Sequence, residues 1–269
     1  MRPRSMPIGL VLLLWTALAC AAPATTATID ELMRKSGLWE QLAGISNEFQ
    51  KSVDAGAAQQ GVQDPHAAAA LHRAFTVAYG PDKLRPAVAV VLASKLSAED
   101  AQAALDWLGT DLGTRITKLE EASAAGAPPE RAAELAAALP PERHALYAQL
   151  SRVLHAGDVG ATIVINVAYG LARGIRIAVP ELSMQDPEQV RDALEARRPQ
   201  LVELLEAQTI ASNAVTYATL SDAELKRYIA FAETPAGRRY HAATWTALDA
   251  ALSDAAVDAG RLLATVRST

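Results

Sequence analysis

Leu220-Ser221-Asp222-Ala223-Glu224, followed by Phe231-Ala232-Glu233-Thr234-Pro235-Ala236-Gly237-Arg238-Arg239, decides the fold, because the chain has already used both pieces once. The earlier versions are Leu96-Ser97-Ala98-Glu99-Asp100 and Trp107-Leu108-Gly109-Thr110-Asp111-Leu112-Gly113-Thr114-Arg115. Leu96 and Leu220 lie 124 residues apart, and so do Gly113 and Gly237. One offset shared by both pieces marks a duplicated unit. The kept positions are caps and packing positions. Ser97 and Ser221 each cap a helix, and Glu224 completes a capping box in the second copy. Thr110 and Thr234 cap the next helix, with Pro235 in its first turn. Gly113 and Gly237 fall at the third helical position. Glycine there costs about 1 kcal/mol relative to alanine, which points to two helices meeting closely. The expected fold is all-α, two related helical repeats packed into one bundle.

The rest of the chain agrees. Alanine-rich stretches favour helix, and no segment alternates long enough to make a strand. A short helix over Thr28–Ser36 ends at Gly37, and Leu38, Leu42, Ile45, Phe49 and Val53 form the next apolar stripe. Asp64-Pro65 reads as a cap and first turn; Leu71, Phe75 and Tyr79 then share a face. Pro81 restarts the chain for Leu84, Val88, Val91 and Leu92. Ser123 to Pro129 is a loop by composition, with a short helix over Glu130–Leu139. The second copy opens with a helix through Tyr147 and Leu154, and Gly157 stands opposite Gly37 at an offset of 120. Val159–Val179 answers Leu38–Val53, with Gly170 and Gly174 spaced for a close neighbour. A last long helix runs from Pro235 towards Arg267, with Tyr240, Thr244, Leu248, Leu252, Leu262 and Val266 on its inner side. The expected segments are a signal peptide over 1–22, a first repeat over 28–122, a linker with a short helix over 123–139 and a second repeat over 140–267.

Arg2 and Arg4, the uncharged apolar run Ile8–Leu18 and the small residues Ala17–Ala24 form the three-part pattern of a secretory signal. A periplasmic or secreted protein is expected. The single cysteine, Cys20, closes that pattern; Ala17-Leu18-Ala19-Cys20 partly resembles a lipobox, so a lipid anchor on Cys20 is the alternative. Cleavage beyond Cys20 leaves no thiol for disulfides, catalysis or metal. Removing Arg2 and Arg4 takes the net charge from −5 to −7. No Lys/Arg run follows a phosphate backbone, so nucleic acid is not an expected partner. Beyond the signal no transmembrane segment is expected. The best candidate, Val159–Ala172, is 14 residues with Asn166 inside, against about 20 for a span.

Leu220, Ser221, Glu224, Leu225, Phe231, Thr234, Pro235, Gly237 and Arg238 carry a resemblance. Leu220–Tyr240 is similar to the signature of a bacterial periplasmic all-helical family of unknown function, F/L-S/T-x-x-E-L followed by F-x-x-S/T-P-x-G and a basic residue. Leu84–Ile116 resembles it more distantly, with Trp107 for the Phe and Asp111 for the Pro. The resemblance implies an exported helical domain; it implies no reaction and no catalytic residue.

The chemistry is sparse. His66, His72, His144, His155 and His241 make no i,i+4 pair and no H-E-x-x-H, so no metal is expected. G-x-S-x-G, S-x-x-K and glycine-rich phosphate loops are missing, and no cofactor is expected. Glu120-Glu121 and Glu203-Glu206 read as solvated helix faces. Thr234, Gly237, Arg238 and Arg239 gather N–H groups and two positive charges at a helix start, which is an anion-binding candidate. Ser97, Thr110, Gly113, Ser221, Glu224, Phe231 and Pro235 read as caps and packing. The expected function is a non-enzymatic interaction or binding protein with a protein or small-molecule partner. The alternatives are a carrier of a lipid or other apolar ligand, and an enzyme using a carboxylate or His144 in a cleft.

Overall fold

A computed structural model describes residues 22–60, 65–123, 128–180 and 186–266. The signal segment up to residue 21, Cys20 and the cap at Asp64 lie outside the described residues. Among those described, the chain forms thirteen helices and no strand. An isolated bridge joins Pro23 to Ser97, where Ala24 N–H donates to Leu96 O and Ala98 N–H to Ala22 O.

Six helices precede a short one and six follow it. The first series is α1 (Thr26–Lys35), α2 (Leu38–Gln60), α3 (Pro65–Ala78), α4 (Pro81–Lys95), α5 (Ala98–Leu108) and α6 (Asp111–Ser123). After α7 (Pro129–Ala137) come α8 (Pro141–Val153), α9 (Ala156–Ala178), α10 (Pro187–Glu195), α11 (Arg198–Thr216), α12 (Asp222–Glu233) and α13 (Pro235–Val266). α2 and α9 are both 23 residues long. Each follows a residue in the left-handed region, Gly37 at φ 72° and His155 at φ 52°. His155, not Gly157, is therefore the conformational counterpart of Gly37. Gly157 lies buried inside α9, where a Cβ would come within 2.6 Å of Glu206 Cγ.

The two series exchange their last helices. One core combines α1–α5 with Tyr240, Ala243, Ala247, Ala251, Ala255 and Ala259 of α13. The other combines α8, α11 and α12 with Leu112 and Ile116 of α6. Neither series closes a core without the other. On α13 the fully buried stripe is alanine, whereas Leu248, Leu252 and Leu262 are half-buried. A different set of α13 residues, Ser253, Ala256, Val257 and Gly260, meets α9. α13 lies along α9 so closely that a Cβ on Gly174 would overlap Val257 O, and one on Gly260 would overlap Leu171 O. Only small side chains fit such a crossing. Asn166 of α9, the polar residue in its apolar run, donates to both oxygens of Asp249 on α13 at 2.9 and 3.0 Å. At 23 residues α9 exceeds the apolar run marked in the sequence; by length and composition it is apolar enough to cross a membrane.

Candidate functional site

The repeated sequence pieces build two matching corners. Ser97 Oγ accepts from Asp100 N–H, and Ser221 Oγ from Glu224 N–H. Thr110 Oγ1 donates to Trp107 O and accepts from Gly113 N–H; Thr234 Oγ1 does the same with Phe231 O and Gly237 N–H. A Cβ on Gly113 would overlap Trp107 O, and one on Gly237 would overlap Phe231 O. The close approach at these glycines is thus between consecutive helices turning a tight corner. Pro235 starts α13 as expected.

The corners meet through reciprocal side-chain contacts. Trp107 stacks on its counterpart Phe231, centroids 4.6 Å apart and planes 7° from parallel. Arg239 binds Asp100 through Nε and Nη2 at 2.7 and 2.6 Å. At the 124-residue offset Arg239 corresponds to Arg115 and Asp100 to Glu224, and Arg115 Nη1 binds Glu224 Oε1 at 2.6 Å. Glu224 also closes the capping box through Ser221 N–H. Its carboxyl is held below the usual range first by that backbone bond, and Asp100 by the Arg239 guanidinium. The groups expected to take an anion therefore have partners within the chain. Arg239 is committed to Asp100, Arg238 Nη1 donates to Glu233 O, and Gly237 N–H is taken by the Thr234 cap.

One group of residues has no counterpart at the 124-residue offset. Glu120, near the end of α6, turns its carboxyl into the seam against the other series. Tyr217 Oη donates to Glu120 Oε1 at 2.5 Å and Tyr228 Oη lies 3.5 Å from the same oxygen. Both tyrosines are buried. The positions 124 residues from Glu120, Tyr217 and Tyr228 hold Thr244, Ala93 and Ala104, so no second copy of the cluster exists. Burial pushes the Glu120 carboxyl up to about 7 and raises both phenols. His241 packs its ring against Tyr228, Phe231 and Tyr240; burial lowers it to about 4, and its Nε2 is buried without a hydrogen-bond partner. Glu120 is thus no solvated helix face. The sequence carried a signal: Leu112, Ile116 and Glu120 fall at i, i+4 and i+8, which places the carboxyl on the buried stripe of α6. Arg143 was also missed. It donates to Tyr217 O, Leu220 O, Asp222 Oδ1 and Tyr147 Oη, tying α8 to the corner before α12.

Among the described residues, the surface grooves include two of several hundred Å³. One, of about 490 Å³, lies between α7, α8 and α11; Ala133, Ala136, Leu139, His144, Ile210 and Ala211 are among its lining residues. The other, of about 540 Å³, is lined by Tyr169, Arg173, Arg176, Ile177, Asp186 and Glu188. Arg176 pairs with Asp186 there, and Tyr169 Oη donates to Glu188.

The fold and corners define an all-helical body with a titratable seam. Residues 82–142 match the model of a family described as uncharacterized protein conserved in bacteria (DUF2059). The matched stretch runs from the first turn of α4 to the start of α8 and includes the α5–α6 corner. A bacterial domain of unknown function is what this supports. No curated protein and no solved structure matches the chain.

Proposed function

We propose that the chain is an exported bacterial binding protein, built from a duplicated six-helix unit, that takes an apolar ligand or the apolar face of a partner. The observation that carries the reading is the groove between α7, α8 and α11. Its walls are alanine, leucine and isoleucine, and alanines on facing helices leave open a volume that larger side chains would fill. Grooves of this size with apolar walls are ordinary ligand sites. Export rests on Arg2, Arg4 and the Ile8–Leu18 run, with residence in the periplasm or outside the cell, or anchorage through a lipid on Cys20. α9 is read as a helix of the bundle packed along one face: its glycines touch the α13 backbone and Asn166 has its partner on α13.

Native mass spectrometry of the protein isolated gently from the periplasm tests this. Extra mass that leaves on denaturation, and that is absent from Ala211→Trp, supports occupancy of the groove by a small apolar ligand. A bare mass moves the reading to a protein partner. Cross-links that are unchanged in Ala211→Trp would remove the groove from it. A second reading, an enzyme, is favoured by one observation: Glu120 and His241 flank Tyr228 and are pushed in opposite directions, as acid–base pairs often are. Turnover in a hydrolase screen that disappears in Glu120→Gln would establish it.

A further inference from the structure

We propose that Glu120, Tyr217 and Tyr228 form a proton-operated latch between the two helical series, closed when the carboxyl carries its proton and loosened when it loses it. The argument begins with what meets Glu120. Every other carboxylate that ties the two corners together has an arginine: Asp100 has Arg239, Glu224 has Arg115 and Asp222 has Arg143. Glu120 has two phenols. A phenol donates one hydrogen bond and brings no charge, so an ionised Glu120 would sit in an apolar seam without a counter-charge. Both phenols also converge on one oxygen, Oε1. In the protonated form the other oxygen is the hydroxyl, and the seam then holds only neutral groups.

The groups around the carboxyl reinforce this. Beside it on α6, Glu121 adds a like charge that favours the neutral form. From α11 and α12 come Tyr217 and Tyr228, both neutral through any ordinary pH. Ser123 at the end of α6 accepts from Thr216 of α11 at 2.9 Å, an uncharged link next to the latch. From α13 comes Tyr240, raised to about 12, and behind Tyr228 lies His241, whose ring is neutral above about 4. Among the described residues, no lysine or arginine side chain pairs with Glu120. The direction of the carboxyl shift agrees with the geometry, since burial is its largest cause.

The position makes the proton consequential. α6 is the helix that the first series places in the second core, and Glu120 is where its last turns meet α11 and α12. Deprotonation places a charge where α6 meets the phenols of Tyr217 and Tyr228. The linkage sign follows. A carboxyl raised from 4.5 to about 7 stabilises the fold fully below 4.5, and that contribution is lost as pH rises through about 7.

The test is chemical denaturation of the full mature chain between pH 4.5 and 8.5, wild type beside Glu120→Gln, which keeps the shape and cannot titrate. Relative to the variant, the wild-type unfolding constant should rise on the order of a hundredfold over that interval. Tyr217→Phe, which removes a donor to the ionised form, should move the midpoint of the effect to higher pH. If wild type and Glu120→Gln share the same pH dependence, the latch is wrong. Infrared spectroscopy of the native wild type gives a second measurement should the variant not fold. A protonated carboxyl band that titrates away near neutrality supports the latch, and a carboxyl already ionised at pH 5 overturns it.

Discussion

Glycine shows at the residue scale how much one side chain's surroundings decide. Gly44 lies in α2 with nothing within 4 Å of where a Cβ would stand, so Gly44→Ala should raise stability by about 1 kcal/mol through helix propensity. Gly174→Ala puts the same methyl into the Val257 carbonyl and should destabilise by about 3 kcal/mol, the scale of overpacking. Opposite shifts in thermal midpoint check the pair. His241 supplies the residue-scale pH prediction. Its imidazole is lowered from 6.5 to about 4 by burial, so the stability it preserves is present above 6.5 and is lost as pH falls through 4. That slope opposes the one from Glu120. His241→Phe should leave a protein whose stability rises steadily on acidification from pH 7.5 to 5, read by denaturant midpoints; an unchanged profile would remove the buried-imidazole account. The lone sequence of His241 gave no hint of this, because burial is set by Tyr228, Phe231 and Tyr240 arriving from two helices.

The corners at the element scale were legible in advance, down to the atoms that cap them. Local chemistry explains it: Ser97, Thr110, Ser221 and Thr234 bond to N–H groups three residues on, so the partner is fixed by spacing alone. Thr234→Ala should therefore cost about 1 kcal/mol, measurable as a lowered denaturation midpoint, with a larger loss when Glu224→Ala is added to it. The inner face of α13 was not legible. Periodicity selected its leucines, but the stripe that is fully buried is Ala243, Ala247, Ala251, Ala255 and Ala259. Hydrophobic size predicts burial against an average neighbour, and that alanine stripe packs into the core built by α1–α5, a partner that local sequence does not specify.

The exchange of α6 and α13 governs the behaviour of the whole molecule. Because each core takes a helix from the other series, the two halves should not fold separately. Residues 22–123 expressed alone should show no cooperative melting transition, and mixing with residues 128–266 should restore one, followed by circular dichroism. A sharp independent transition in the shorter piece would contradict the shared cores. The reciprocal pairs tie each exchanged helix to the series that receives it, Arg239 of α13 to Asp100 of α5 and Arg115 of α6 to Glu224 of α12.

By itself the sequence determined the all-helical class, the capped corners and the recurrence at one offset, since each depends on residues a few positions apart. It left open which helix completes which core, and it assigned Glu120 to water. Those were decided by tertiary structure alone, because a carboxyl's protonation depends on what packs against it. Tyr217 and Tyr228 reach Glu120 from about a hundred residues further along the chain.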